Sequence, residues 1–244
     1  MAVKSADRTV QLLEAFAAAG EALGVAELAR RLAIPVSACH GLLKSLEDRG
    51  YLYELGPRKG WYPTLRWLQQ ARLVAARDPL LKRVAALLEG LCAATGETVV
   101  LAKRAGPSVT YLSVSESPNP IRYSAQVGDR KPLHSSAAGK ALLAALAPEA
   151  RATLLDGLKL ARVTPNTIVK REALEKDLAA GAARGWCMTR GENVADVYAI
   201  AAPLRLDHED YALVLAGPGP RLEANLKANA AALARAKKDI EALR

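Results

Sequence analysis

A chain of 244 residues, 51% hydrophobic and 24% charged, is long enough for two ordinary domains or one large one, with proper cores. No apolar stretch is long enough to span a bilayer, and Met1 to Arg8 hold no apolar signal core, so a cytoplasmic protein away from membranes is expected. A formal charge of +9 favours a polyanionic partner, although 11 Lys/Arg against 8 Asp/Glu before residue 79, and 23 against 17 from there on, spread the excess along the chain. The scattered Cys39, Cys92 and Cys187, with only His40, His134 and His208 beside them, argue against a disulfide frame or a metal site.

Three short helical patterns open the chain. Val10, Leu13, Phe16 and Ala17 recur at helical spacing after Ser5, which is placed to cap the first helix. Val25, Leu28, Ala29 and Leu32 mark a second, and Pro35 follows it because proline cannot continue the hydrogen-bond ladder. The third, Val36 to Arg49, turns Cys39, Leu42, Leu43 and Leu46 inward, and Gly50 after it can take the left-handed backbone of a helix end. Two such helices joined by a tight turn make a helix-turn-helix, whose second helix enters the DNA major groove. Its outer face carries Ser37, Gly41, Lys44 and Asp48, flanked by Ala38, His40 and Ser45. Tyr51–Leu55 and Trp61–Tyr62 then form a hairpin with Arg58 and Lys59 at its turn, a wing suited to phosphates. With Arg8 of the first helix, the candidate DNA contacts are Arg8, Ser37, Ala38, His40, Gly41, Lys44, Ser45, Arg58 and Lys59.

Thr64 to Arg77 reads as a helix with Leu65, Leu68, Arg72 and Ala76 along one side, and Asp78-Pro79 interrupts it. The expected division is a DNA-binding domain over 1–64, a linker helix over 65–78 and a second domain over 79–244. Dimers are expected, because helix-turn-helix proteins usually read two half-sites. Leu80–Ala94 continues as an apolar-faced helix. Strands are expected at Glu97–Arg104, Ser108–Glu116 and Ile121–Ser124, and helices at Ser136–Leu146, Pro148–Leu155 and Lys170–Arg184. Strands return at Trp186–Thr189, Val197–Leu206 and Tyr211–Ala216, before a Gly217-Pro218-Gly219-Pro220 turn and a closing helix over Arg221–Leu243. This order describes an α+β domain on one mostly antiparallel sheet.

His134-Ser135-Ser136-Ala137-Ala138-Gly139 leads into a helix whose N-terminal amides and hydroxyls suit a carboxylate. Ser135 or Ser136 serves equally as a plain helix cap. An enzyme is the rival class: His134, Ser135 and Glu192 can be drawn as a hydrolytic set. No G-x-S-x-G elbow exists, however. Gly139-Lys140 also lacks the earlier glycine and following hydroxyl of a P-loop. No catalytic residue and no cofactor is expected.

The segment Gly128-Asp129-Arg130-Lys131-Pro132-Leu133-His134-Ser135-Ser136-Ala137-Ala138-Gly139-Lys140-Ala141-Leu142-Leu143-Ala144 resembles a signature of the IclR family of bacterial transcription regulators. Arg184-Gly185-Trp186, Gly191-Glu192 and Ala199-Ile200-Ala201-Ala202-Pro203-Leu204 match it further, as does Arg8-Thr9-Val10 with Leu13. The resemblance runs from about Arg8 to the C-terminus. It implies a multidomain α+β protein: a winged helix-turn-helix, a linker helix and a C-terminal GAF-like effector-binding domain. Homodimers that pair into tetramers, a double-stranded DNA operator, control by repression more often than activation, and small organic or aromatic acids as effectors are implied with it. By motif position the effector pocket falls to Leu133, Ser135, Ser136, Ala137, Ala138, Thr189, Glu192, Tyr198, Ala199, Val214 and Ala216, with an apolar wall from Val214 and Ala216. One departure stands on the third helix, where Ala38 and Gly41 replace the hydroxyl and arginine usual in the family. An Arg-to-base pair contributes about 1–3 kcal/mol of discrimination, so an altered operator is expected. The alternative is a ligand-sensing scaffold that has lost specific DNA binding.

Overall fold

A computed structural model describes residues 4–56 and 59–243. The chain divides into two compact units, Met1–Asp78 and Pro79–Arg244, so the expected linker segment falls within the first.

The first unit holds α1 (Lys4–Ala19), α2 (Val25–Arg31), α3 (Val36–Asp48), the hairpin strands β1 (Leu52–Glu54) and β2 (Trp61–Pro63), and α4 (Arg66–Ala75). Its core joins Leu12, Phe16, Leu28, Cys39, Leu43, Leu52 and Trp61. The first helix is turned differently from the expected stripe: Leu12 and Phe16 are buried, Leu13 is half-buried, and Val10 and Ala17 are exposed. Phe16 is the member of the expected stripe that is buried, meeting the ring of Tyr62 edge-on with centroids 6.3 Å apart, and Leu12 one turn before it goes inward in place of Val10 and Ala17. Ser5 lies inside α1 instead of capping it, and its carbonyl accepts a bond from the Thr9 hydroxyl at 3.1 Å.

Trp61 exchanges two backbone hydrogen bonds with Leu23, which clips the α1–α2 connection to the hairpin. Gly50 takes φ +76°, a left-handed conformation that releases the chain from α3 into β1. The start of α4 is tied to the same place. Thr64 Oγ1 donates to the Gly50 carbonyl at 2.6 Å, and Trp67 Nε1 donates to the Tyr51 carbonyl at 3.0 Å.

The second unit opens with α5 (Pro79–Thr95) and builds one antiparallel sheet in the order β5-β4-β3-β8-β7-β6. The strands are β3 (Thr98–Ala105), β4 (Ser108–Ser115), β5 (Arg130–Pro132), β6 (Cys187–Arg190), β7 (Val197–Leu206) and β8 (Glu209–Pro218). Between β5 and β6 run α6 (Ala137–Ala145), α7 (Pro148–Asp156) and α8 (Arg171–Arg184). The unit ends with α9 (Gly219–Ala224) and α10 (Leu226–Glu241). Strand residues alternate between two cores. Val100, Ala201, Val214 and Ala216 face Ala141, Leu143, Leu174 and Leu178 on one side. Leu101, Ile200, Leu213 and Leu215 face Val84, Leu88, Leu233 and Ile240 on the other.

Three expectations fail here. Ile121–Ser124 is not a strand; Pro118 and Pro120 before it lack the donors of a ladder. The segment crosses as an irregular strap, and Arg130–Pro132 pairs with β4 instead. Gly217-Pro218-Gly219-Pro220 is not a turn: Gly217 and Pro218 end β8, and Gly219 and Pro220 begin α9, where proline suits a first helical turn. The closing helix is also two helices, broken at Asn225.

Candidate functional site

In the second unit, the face of the sheet covered by α6 contains a small cavity of about 30 Å³. Ala199 of β7 with Val214 and Ala216 of β8 make its apolar floor, as the alternation of paired strands requires. Ser136, Ala137 and Ala138 supply the helix end, Thr189 the wall on β6, and Val194 and Val197 border the loop after it. Tyr111, Tyr123 and Asn193 complete the polar lining, and among the described residues no charged side chain lines the space.

The N-terminus of α6 is fixed by close packing. A Cβ on Gly139 would lie 2.3 Å from the Leu133 carbonyl oxygen, so only glycine lets the first turn fold back on residues 133–135. Ser136 is the cap: its Oγ accepts from the Gly139 amide at 3.2 Å and donates to the Pro132 carbonyl at 2.6 Å. The amides of Ala137 and Ala138 precede the first carbonyl they could bond within the helix and border the cavity.

Of the residues assigned to the pocket from sequence, Ser136, Ala137, Ala138, Thr189, Ala199, Val214 and Ala216 line the cavity. The others stand elsewhere. Leu133 is wholly buried in the core. Ser135 is buried beside the cavity, and its Oγ accepts from Asn193 Nδ2 at 3.1 Å. Glu192 grips Lys140, whose Nζ lies 2.7 and 2.6 Å from its two oxygens and 2.8 Å from Asp177 Oδ2. A fully buried ammonium needs such partners. Burial pushes the Glu192 carboxyl up against the pull of Lys140. Tyr198, one residue from Ala199, points to the opposite face and borders a recess with Arg190, Asp196 and Glu223.

Tyr111, Tyr123, Asn193, Val194 and Val197 were not foreseen. Tyr111 turns into the cavity beside a β-bulge that leaves Leu112 unpaired with β3. Tyr123 rides on the irregular strap, where Thr98 Oγ1 donates to its carbonyl at 2.6 Å. The two phenol oxygens lie 3.5 Å apart. Burial, and after it the neighbouring Tyr123, push the Tyr111 phenol well above its usual range, so it stays a neutral donor. The Lys140 signal was readable: a lysine amid the wholly apolar run Ala137–Leu143 calls for a buried carboxylate. The hydrolytic set drawn from sequence is not assembled. His134 Nε2 donates to the Ala161 carbonyl at 2.8 Å, while Ser135 and Glu192 are engaged as described.

In the first unit Ser37, Ala38, His40, Gly41, Lys44 and Ser45 share the exposed face of α3. Lys44 is held along the helix, its Nζ 2.7 Å from Glu47 Oε2 and 5.0 Å from the centre of the Trp61 ring. Arg8 is half-buried on α1 and Lys59 exposed in the hairpin turn; Arg58 lies outside the described residues. Among the described residues no cluster of metal-ligating side chains occurs, and no helix is long and apolar enough to cross a membrane.

Comparison with known proteins agrees with both units. The model of the IclR helix-turn-helix domain matches residues 5–56, which include α3, and that of the bacterial transcriptional regulator IclR C-terminal domain matches residues 73–242. The HTH-type transcriptional regulator BhcR of Paracoccus denitrificans is 31% identical over 202 residues, 83% of this chain and 72% of that protein. The HTH-type transcriptional repressor AllR of Escherichia coli is 28% identical over 225 residues, 88% of this chain and 80% of that one. Among solved structures, an IclR homolog from Microbacterium hydrocarbonoxydans complexed with 4-hydroxybenzoate superposes with a TM-score of 0.77 at 28% identity, covering 97% of each chain. The relatives are regulators, not enzymes, and the match over α3 does not favour a scaffold without DNA binding. The chain belongs to the IclR family of bacterial transcription regulators, with a DNA-binding helix-turn-helix ahead of an α+β C-terminal domain.

Proposed function

We propose that this regulator acts as a repressor whose hold on operator DNA changes when a small organic acid, aromatic or branched, occupies the cavity beneath α6. The observation that carries this reading is the lining of the cavity: an apolar floor of Ala199, Val214 and Ala216, with uncommitted amides at a helix N-terminus. An apolar floor with a few convergent polar groups is the make-up of a small-molecule site, and the amides favour a carboxylate. The relative solved with 4-hydroxybenzoate supports the same class of ligand. DNA is met by the outer face of α3, through Ser37, Ala38, His40, Gly41, Lys44 and Ser45, with Arg8 and the hairpin's Arg58 and Lys59 on phosphates. The working form is a homodimer or a pair of dimers in the cytoplasm.

The test is fluorescence anisotropy on a labelled duplex from upstream of the protein's own gene, with and without a panel of aromatic and branched carboxylates that includes 4-hydroxybenzoate. At least one acid should change the DNA dissociation constant by about fivefold or more, the scale of ordinary allosteric coupling. Response only to sugars or polar dicarboxylates, or acids that bind without moving DNA affinity, would overturn it.

A further inference from the structure

The cavity beneath α6 is closed. Its 30 Å³ is roughly the room of one or two water molecules, so no organic acid enters unless a wall moves. Most of the walls are fixed. Ala199, Val214 and Ala216 sit in paired strands, and Gly139 packs the first turn of α6 onto the Leu133 backbone. The loop that holds Asn193 is pinned where it leaves β6: Thr164 Oγ1 donates to the Gly191 carbonyl at 2.6 Å, and Thr167 Oγ1 to that of Glu192 at 2.7 Å. The strap that carries Tyr123 is built differently. Among the described residues, 117–125 make no backbone-to-backbone hydrogen bond, and within 118–127 only Tyr123 and Ala125 are buried.

Side chains fasten the strap instead, and they gather on three consecutive residues at the junction of α5 and β3. The Gly96 carbonyl accepts from Ser117 Oγ at 2.6 Å and from Asn119 Nδ2 at 2.8 Å. Thr98 Oγ1 accepts from the Ser117 amide at 3.2 Å and donates to the Tyr123 carbonyl at 2.6 Å. Between them the buried Glu97 accepts two bonds of 2.7 Å from Arg221, whose remaining nitrogen, Nη1, donates to the Ile121 carbonyl at 2.9 Å. Arg221 belongs to α9, whose Leu222 is buried in the core on the other side of the sheet. Its guanidinium thus joins that layer to the middle of the strap.

We propose that residues 118–127 are a lid on the cavity and that Arg221, held by Glu97, is its latch. This rests on the effector reading above and says how that site is entered. The lid swings between Ser117, tied to Gly96, and Gly128, whose φ of +91° marks the bend into β5, and it draws Tyr123 and Ala125 out with it. Local opening is easiest where few apolar groups are buried and no ladder has to break. The latch can let go without harm to the core. Arg221 is 32% exposed and Ile121 75%, so water can replace the bond between them at small net cost. Glu97 keeps its two bonds to Arg221 when that happens, and no buried charge is left alone.

The experiment is alkylation by iodoacetamide, read by peptide mass spectrometry, on the full-length protein carrying Ala216→Cys on the cavity floor. Cys92→Ala is made throughout, because the Cys92 thiol bonds to the Glu116 carbonyl beside the strap. Cys187, buried in the core on the same side of the sheet, reports unfolding of the whole unit. Arg221→Met with Glu97→Gln removes the latch and leaves no buried charge unpaired. The thiol at position 216 should then react about tenfold faster relative to Cys187, the scale of one or two hydrogen bonds. Asn119→Ala, which leaves the Glu97 pair whole, should speed it in the same direction and serves if the double variant does not fold. Asn193→Ala, in the loop after β6, should leave the ratio as it was. A rate at position 216 that ignores Arg221 and Asn119, that rises only in step with Cys187, or that answers to Asn193 instead, overturns the lid. No effector is added, so that failure leaves the effector reading standing, whereas acids that never move DNA affinity overturn that reading and not the lid.

Discussion

At the scale of single residues, Lys140 and Glu192 are costly groups to keep charged. Both are buried, and the ammonium is shared with Asp177, so the cluster carries one more negative charge than positive. Burying ions costs several kcal/mol each before their attraction is counted, and removing one partner typically destabilises by about 3–5 kcal/mol. Glu192 shows that cost. With its folded pKa raised above 4.5, chiefly by burial, the native state holds the proton more tightly than the unfolded chain does. Its contribution to stability is therefore greatest below pH 4.5 and is lost as pH rises through the raised value. Urea unfolding of the native protein and of Glu192→Gln, repeated from pH 4.5 to neutrality, should show the native protein losing ground to the variant as pH rises. A gap between the two that is constant with pH would refute the assignment.

At the scale of elements, α4 is the segment least settled by its own unit. It has no buried residue, and Leu65, Leu68 and Leu73 are exposed along one side, Leu65 at 82%. On the dimer reading, that face is covered by a second copy. Leu65→Ser with Leu68→Ser should then shift sedimentation at micromolar concentration towards the monomer, with the far-ultraviolet spectrum kept; unchanged association would place the dimer contact elsewhere. Elements with one strong apolar stripe were legible in the sequence: α2, α3, the hairpin and β7 follow from spacing and turn residues alone. Where apolar residues surround the stripe, as Leu12 does beside Val10, Leu13, Phe16 and Ala17 on α1, periodicity cannot choose which neighbours of Phe16 go in, and the tertiary contact of Phe16 with Tyr62 sets the rotation. The cavity was legible on its regular sides, the α6 end and the floor strands. It was hidden where Tyr111 depends on a bulge and Tyr123 on a strap with no periodicity at all. Glu192 was placed in the pocket by motif position alone; its partner, Lys140, lies 52 residues away and is fixed only by the fold.

At the scale of the molecule, the second unit carries two cores that lie wholly within Pro79–Arg244. Residues 79–244 made alone should therefore unfold in a single cooperative transition and keep the effector affinity of the whole chain, as measured by calorimetry. A fragment that melts without cooperativity, or has lost that affinity, would show that the first unit completes it. The sheet between the two cores has a further consequence. Val214 and Ala216 touch the cavity, while Leu213 and Leu215, their immediate neighbours in β8, touch the side on which α5 packs, and α5 is the helix that follows the linker in the chain. A ligand and that helix thus share a wall one strand thick and never meet. News of occupancy can cross it only as a change in how the strands twist or stand apart. On that view the thickness of the ligand over two small side chains, more than its affinity, sets the strength of the message.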